Sequence, residues 1–210
     1  MIAPMLLMPV REPFDSPEYA YEVKWDGMRL LAFTEEPVRL QTRRLRSVQT
    51  QFPEVVEACA GLPEGTVLDG ELVVFRNERP DFESLRQRIA THAPRKVARL
   101  ASDLPATFLG FDLLYLAGES LMGLPLKERR KLLLQLRPYG GLTFPDHFDS
   151  GTALFEAVQE QGLEGIVAKR RDSQYMPGRR CRSWMKCKQP GYDLERFVHQ
   201  RRRRCHVRPL

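Results

Sequence analysis

The stretch from Tyr19 to Asp26 alternates cleanly. Tyr21, Val23 and Trp25 fall on one side, and Glu22, Lys24 and Asp26 on the other. A period of two predicts a strand with one face in a core and the other toward a polar space, ending in the turn chemistry of Asp26-Gly27. Residues 29–34 predict its pairing partner, which leaves Arg29 just past the turn. Residues 38–43 alternate again, with Val38, Leu40 and Thr42 opposite Arg39, Gln41 and Arg43. Residues 65–75 (GTVLDGELVVF) predict a strong strand with Asp69, Glu71 and Val73 on one face. Residues 107–116 (TFLGFDLLYL) are nearly all apolar and predict a central strand, with Phe111 and Asp112 facing opposite ways. Residues 163–170 and 184–188 predict two short strands, the second projecting Trp184, Lys186 and Lys188 to one face. Helical spacing predicts helices over 52–60, ended by Gly61, over parts of 82–100, broken at Pro94, and over 126–136 and 153–161, closed by Gly162. Residues 4–17 are Pro-rich and read as an extended lead-in packed on the domain surface. From Gln189 the pattern fails.

Composition narrows the class. A chain of 210 residues with 42% hydrophobic residues supports one large domain, or one domain with a tail. No apolar run approaches the roughly 20 residues of a membrane span. The apolar start has no basic flank and is broken by Pro4 and Pro9, so it does not read as a signal peptide, and a cytoplasmic location is expected. The net charge of +6 favours an anionic partner, nucleic acid or a phosphorylated ligand. Arg196, Arg201, Arg202, Arg203, Arg204 and Arg208 make 189–210 a basic tail that reads as disordered or as an electrostatic contact arm. Cys59, Cys181, Cys187 and Cys205 form no C-x-x-C pair. With His199 and His206 they fit no usual zinc spacing, so reduced thiols are expected.

Three features ask for chemistry. Lys24, walled by apolar strand residues with acidic and basic neighbours, is a candidate nucleophile; a surface hairpin with a salt bridge is the plainer reading. Asp69 and Glu71 are expensive to bury unless a metal or a basic group pairs with them; a solvent-facing edge strand would also accommodate them. Lys186 and Lys188, aligned on one face, repel each other unless an anion sits between them or solvent covers both. Phe111 taken alone reads as core, with a platform for a purine as the alternative.

In order along the chain, KWDGMR (24–29), TRR (42–44), LDGELV (68–73), FDLLY (111–115), EGIVAKR (164–170) and WMKCK (184–188) form one series. It resembles the ordered motifs of the covalent nucleotidyltransferases. The sequence is most similar to the adenylation domain of ATP-dependent DNA ligases, in particular the bacterial ligases of double-strand-break repair by end joining. The resemblance covers about residues 4–188. It implies an α+β fold of two antiparallel β-sheets with flanking helices, an ATP-grasp-like nucleotidyltransferase domain with the nucleotide in the groove between the sheets.

Residue by residue, the resemblance makes Lys24 the nucleophile that becomes lysyl-AMP. It places Glu22 near the adenine, Arg29 on the ribose or phosphate, and Arg43 on the ribose and later the DNA 5′-phosphate. Phe111 would stack on adenine. Lys169, Lys186 and Lys188 would bind the α-phosphate, and Glu71 and Glu164 would position Mg²⁺ or Mn²⁺. These roles are chemically coherent. Free lysine is neutral in only a few molecules per ten thousand, roughly, at pH 7. Cations around an attacking amine favour its neutral form and stabilise phosphoryl oxygens.

The implied reaction has three steps: formation of lysyl-AMP from ATP, transfer of AMP to the 5′-phosphate of nicked double-stranded DNA, and sealing by the 3′-hydroxyl. Such ligases continue into an OB-fold domain that carries a further basic motif. Residues 189–210 do not match it, so full sealing by this chain alone is expected to be impaired. Ku-like and polymerase end-joining proteins are the implied partners, and a bacterial, nucleoid-associated setting the implied location. An RNA ligase or an mRNA-capping guanylyltransferase is the alternative within the superfamily. A non-catalytic, ligase-derived nucleic-acid-binding module is the alternative outside it.

Overall fold

The computed structural model describes residues 1–192. The predictions on the arginine-rich segment, and on His199, Cys205 and His206, lie outside the described residues. The strands are β1 (Leu6–Val10), β2 (Tyr19–Val23), β3 (Met28–Phe33), β4 (Arg39–Thr42), β5 (Val67–Arg76), β6 (Arg79–Pro80), β7 (Ala106–Leu116), β8 (Glu119–Ser120), β9 (Leu142–Thr143), β10 (Gly165–Arg170) and β11 (Arg180–Lys188). The helices are α1 (Pro53–Ala60), α2 (Phe82–Ile89), α3 (Pro94–Asp103), α4 (Leu126–Leu133) and α5 (Gly151–Glu160). None is long and apolar enough, among the described residues, to cross a membrane.

Two sheets result, as expected of an α+β fold. One has the order β1-β11-β10-β2; the other runs β4-β3-β5-β7-β8, with β6 on β5 and β9 on β7. Most pairs are antiparallel, while β1·β11 and β7·β9 are parallel. Period-two alternation sorts the side chains into layers. In β3, Leu30 and Ala32 enter a core shared with α1 and α2, and Leu31 and Phe33 enter a second core between the sheets. In β2, β10 and β11, Tyr21, Ile166, Ala168, Met185 and Cys187 pack under α5. Their alternates, Glu22, Lys169, Trp184 and Lys186, therefore face the other sheet.

Two expectations are corrected. Strand β3 does not pair with β2. Its neighbours are β4 and β5, while β2 pairs with β10. Residues 24–27 are thus a crossover between sheets, not a hairpin turn. Trp25 accordingly leaves the Tyr21 core and packs edge-on against Phe75, 5.6 Å between centroids. The lead-in is likewise more than a surface segment. Leu6–Val10 forms the edge strand β1, and Met5 is buried between the sheets. Proline is tolerated there because an edge strand leaves one side of its backbone unpaired.

Candidate active site

The crossover is held by its backbone. Lys24 N donates to Gly165 O at 2.8 Å, which ties it to β10. Gly27 lies against β5: a Cβ there would sit 2.3 Å from Leu72 O and 2.9 Å from Glu71 Cγ. Gly165, at φ +152°, passes under β11, where a Cβ would meet Cys187 O at 2.1 Å. Only glycine permits these approaches. They bring Lys24, Glu71 and Glu164 to one place.

Lys24 Nζ lies 2.7 Å from Glu164 Oε2, and Lys188 Nζ 2.9 Å from Glu164 Oε1. Glu164 is 5% exposed, so both its oxygens are neutralised by lysines rather than by water. Glu71 is treated differently. Among the described residues no hydrogen bond or ion pair reaches its carboxyl. Burial pushes it up to about 7, with Lys24 and Arg29 pulling the other way.

Arg29 carries a bidentate pair with Asp69, Nε–Oδ1 2.5 Å and Nη2–Oδ2 2.6 Å. The Tyr175 hydroxyl donates to Asp69 Oδ2 at 2.6 Å and accepts from Met5 N at 2.9 Å. The Arg29 guanidinium stands 4.4 Å from the Phe111 ring centroid, and Lys169 Nζ stands 3.8 Å from it. Lys169 Nζ and His147 Nε2 each approach Glu22 Oε1 at 2.7 Å. Burial works against the Glu22 carboxylate, but Lys169 and His147 prevail and hold it at about 2. Burial lowers the Lys169 ammonium against the opposing pull of Glu22 and Asp112.

The sheets open into a cleft of about 710 Å³, a size suited to a small-molecule ligand. Lys24, Arg29, Arg43, Glu71 and Lys186 line it, with Arg44, Arg46 and Arg180. Burial lowers the Lys186 ammonium, and the like charges of Lys24 and Lys188 lower it further. An anion bound there would relieve that repulsion. Glu164 and Lys188 reach the cleft through Lys24. Phe111 does not line it. The ring is 7% exposed and packs in the inter-sheet core, edge-on to Trp184. Glu22 and Lys169 lie behind it.

So Lys24, Arg29, Arg43, Glu71 and Lys186 meet at the cleft with Glu164 and Lys188 beside Lys24, while Glu22, Phe111 and Lys169 lie behind its wall, and Asp69 finds the basic partner its burial demanded, in Arg29. Sequence reasoning missed His147 and Tyr175, which lie in irregular segments with no periodic signal. It also missed the pairing of Asp112 with Arg129. Both are fully buried, and their Nη2–Oδ2 contact of 2.8 Å ties α4 to β7.

Residues 4–188 match the family model described as "ATP dependent DNA ligase domain". Over 175 residues the chain is 39% identical to the multifunctional non-homologous end joining protein LigD of Mycobacterium bovis, covering 81% of this chain and 22% of that protein. Over 190 residues it is 38% identical to DNA ligase C1 of Mycolicibacterium smegmatis, covering 85% of this chain and 54% of that one. The fold matches that of a mycobacterial DNA ligase D complexed with ATP and MES, with TM-score 0.74 and 37% identity over 89% of this chain and 60% of that one. The chain thus spans about a fifth of LigD and about half of ligase C1. It belongs to the family of ATP-dependent DNA ligase domains.

Proposed function

We propose that residues 1–188 are the adenylation domain of a DNA ligase (ATP) that forms lysyl-AMP on Lys24 and serves nick sealing in end-joining repair. The observation that carries this reading is Lys24 Nζ at the cleft wall, 2.7 Å from a buried carboxylate and beside Lys186 and Lys188. The amine attacks the α-phosphorus of ATP. The new N–P bond replaces the bond to the bridging oxygen, and pyrophosphate leaves with that electron pair. Glu164 Oε2 holds Lys24 Nζ in place, and the protons the ammonium sheds pass to solvent. Arg29, fixed by Asp69, holds the ribose or phosphate, and Lys186, Lys188 and Lys169 offset charge on the phosphoryl oxygens. Arg43 holds the ribose and later the DNA 5′-phosphate. The adenine contacts that the ligase resemblance gives to Glu22 and Phe111 require the Phe111 ring, buried here beneath Arg29 and Lys169, to be uncovered when the nucleotide binds.

The donor set fits Mg²⁺ or Mn²⁺. No group of three or more His, Cys, Asp or Glu gathers among the described residues, but Mg²⁺ is commonly held by one or two carboxylates together with substrate phosphates and water. Glu71, without a hydrogen-bond or ion-pair partner among the described residues, is the ready ligand, and Glu164 joins it on releasing an ammonium. When bound, the ion neutralises charge on the phosphoryl oxygens. DNA is the acceptor, and Ku-like and polymerase proteins of end joining belong to the same proposal.

The test is incubation with α-labelled ATP and Mg²⁺, then with a nicked duplex. Label should attach to the chain, vanish in Lys24→Ala and move to the DNA 5′ end. Label retained in Lys24→Ala sinks the reading, and so does a preference for GTP as donor.

A further inference from the structure

The turn after β4 presents an unusual residue at the mouth of the cleft. Leu45 N donates to Thr42 O at 2.8 Å, Thr42 N to Arg46 O at 2.9 Å, and Arg46 N to Thr42 Oγ1 at 3.1 Å. This tight turn holds Leu45 at φ +60°. The left-handed conformation costs a large L side chain free energy that glycine, and in part asparagine, would not incur. Among the described residues the other non-glycine positions with positive φ are Asn77, Glu78 and Ala117. They lie in the tight turns joining β5 to β6 and β7 to β8, where such angles are what a hairpin demands. Leu45 also ends a short hairpin, closed by the antiparallel Gln41–Ser47 bridge, but it sets a large aliphatic side chain where that turn favours glycine or asparagine. It is 41% exposed and belongs to none of the three cores. Its neighbours Arg43, Arg44 and Arg46 line the cleft, whereas Leu45 does not. An apolar tip is therefore held out in a strained conformation between guanidinium groups.

We propose that Leu45 is a duplex-DNA contact, entering the minor groove beside the strand break while Arg44 and Arg46 hold the flanking phosphates. The proposal rests on the ligase reading above. Phosphates border the groove on both sides, so a cation–aliphatic–cation tip matches its charge and polarity. Aliphatic side chains are used in this way by minor-groove proteins, whereas single strands are gripped by aromatic platforms, and the tip carries none. Contact here would set the broken end over the cleft wall that Arg43 and Lys24 share.

The experiment uses the full 210-residue chain and fluorescence anisotropy with a nicked duplex, an intact duplex and a single strand, each over a salt series. Leu45→Gly and Leu45→Asn should weaken nicked-duplex binding by roughly five- to tenfold, the scale of one lost aliphatic contact. Their salt slope should stay that of the parent, single-strand binding should not change, and the thermal midpoint should hold or rise. Arg44→Ala and Arg46→Ala should each lower the slope of log K against log salt by about one. Undiminished duplex binding by Leu45→Gly overturns the proposal, as does equal weakening on the single strand. Failure of the parent chain to take label from ATP would instead overturn the ligase reading, and the binding series would still judge Leu45.

Discussion

Glu22 and Glu71 show how the same side chain is driven in opposite directions by its partners. Glu22 meets two cationic or hydrogen-bonding groups and is held at about 2. Its stabilising effect is present above its ordinary value near 4.5 and is lost only as pH falls toward 2. Glu71 meets burial with no hydrogen-bond or ion-pair partner among the described residues and rises to about 7 from an ordinary 4.5. The folded chain therefore keeps a proton that the unfolded chain releases. Stability must fall as pH rises from about 4.5 to about 7, because the unfolded state binds fewer protons across that window. The shift corresponds to a loss on the order of 3 kcal/mol at most. Urea unfolding in EDTA should show the parent chain losing stability between pH 5 and pH 8, and Glu71→Gln losing much less. Parallel curves for the two would show that Glu71 is solvated and poorly suited to await a metal ion.

At the level of elements, the crossover 24–27 does most to form the site, because it delivers Lys24 from one sheet and Arg29 from the other. Gly27→Ala should be costly there. Its Cβ would press on Leu72 O at 2.3 Å, which is backbone and cannot rotate away. Overpacking of this kind costs about 1–3 kcal/mol. Labelling of Lys24 should slow at least tenfold while the far-ultraviolet circular dichroism stays native, and an unchanged rate would show that the crossover tolerates displacement. This element also marks where the sequence was and was not legible. Alternation is local, so the faces of Glu22 and Lys24 could be read directly. Pairing is not local. Asp26-Gly27 looks like a hairpin turn, yet β2 finds its partner in β10 far along the chain. β1 was hidden for the same reason, since its Pro9 suits an edge and its partner is β11. The candidate site side chains were legible because aligned lysines and buried carboxylates are expensive and must be explained by a ligand or by each other. His147 and Tyr175 carry no such signal, since irregular segments place them and only tertiary contacts give them work.

On the scale of the whole molecule, both sheets contribute side chains to the candidate site. Glu22, Glu164, Lys169, Lys186 and Lys188 come with the four-stranded sheet, and Arg29, Arg43, Glu71 and Phe111 with the larger one. A nucleotide bound between them should act as a cross-link. At a hundredfold excess over Kd, binding adds about 2.7 kcal/mol to stability. For a chain of this length that is a rise of roughly 5–10 °C in thermal midpoint. The two sheets can be tested separately because their cations are held differently. Arg29 is balanced by Asp69, so Arg29→Ala strands a buried carboxylate and should cost about 3–5 kcal/mol even without ligand. Lys186 has no ion pair among the described residues and is crowded by like charges. Lys186→Ala should therefore leave the ligand-free midpoint unchanged or higher while shrinking the rise produced by ATP. Scanning calorimetry of the three chains with and without ATP reads both quantities. A full ATP shift in Lys186→Ala would mean that the four-stranded sheet does not grip the phosphates, and that the groove between the sheets is held by Arg29 and its neighbours alone.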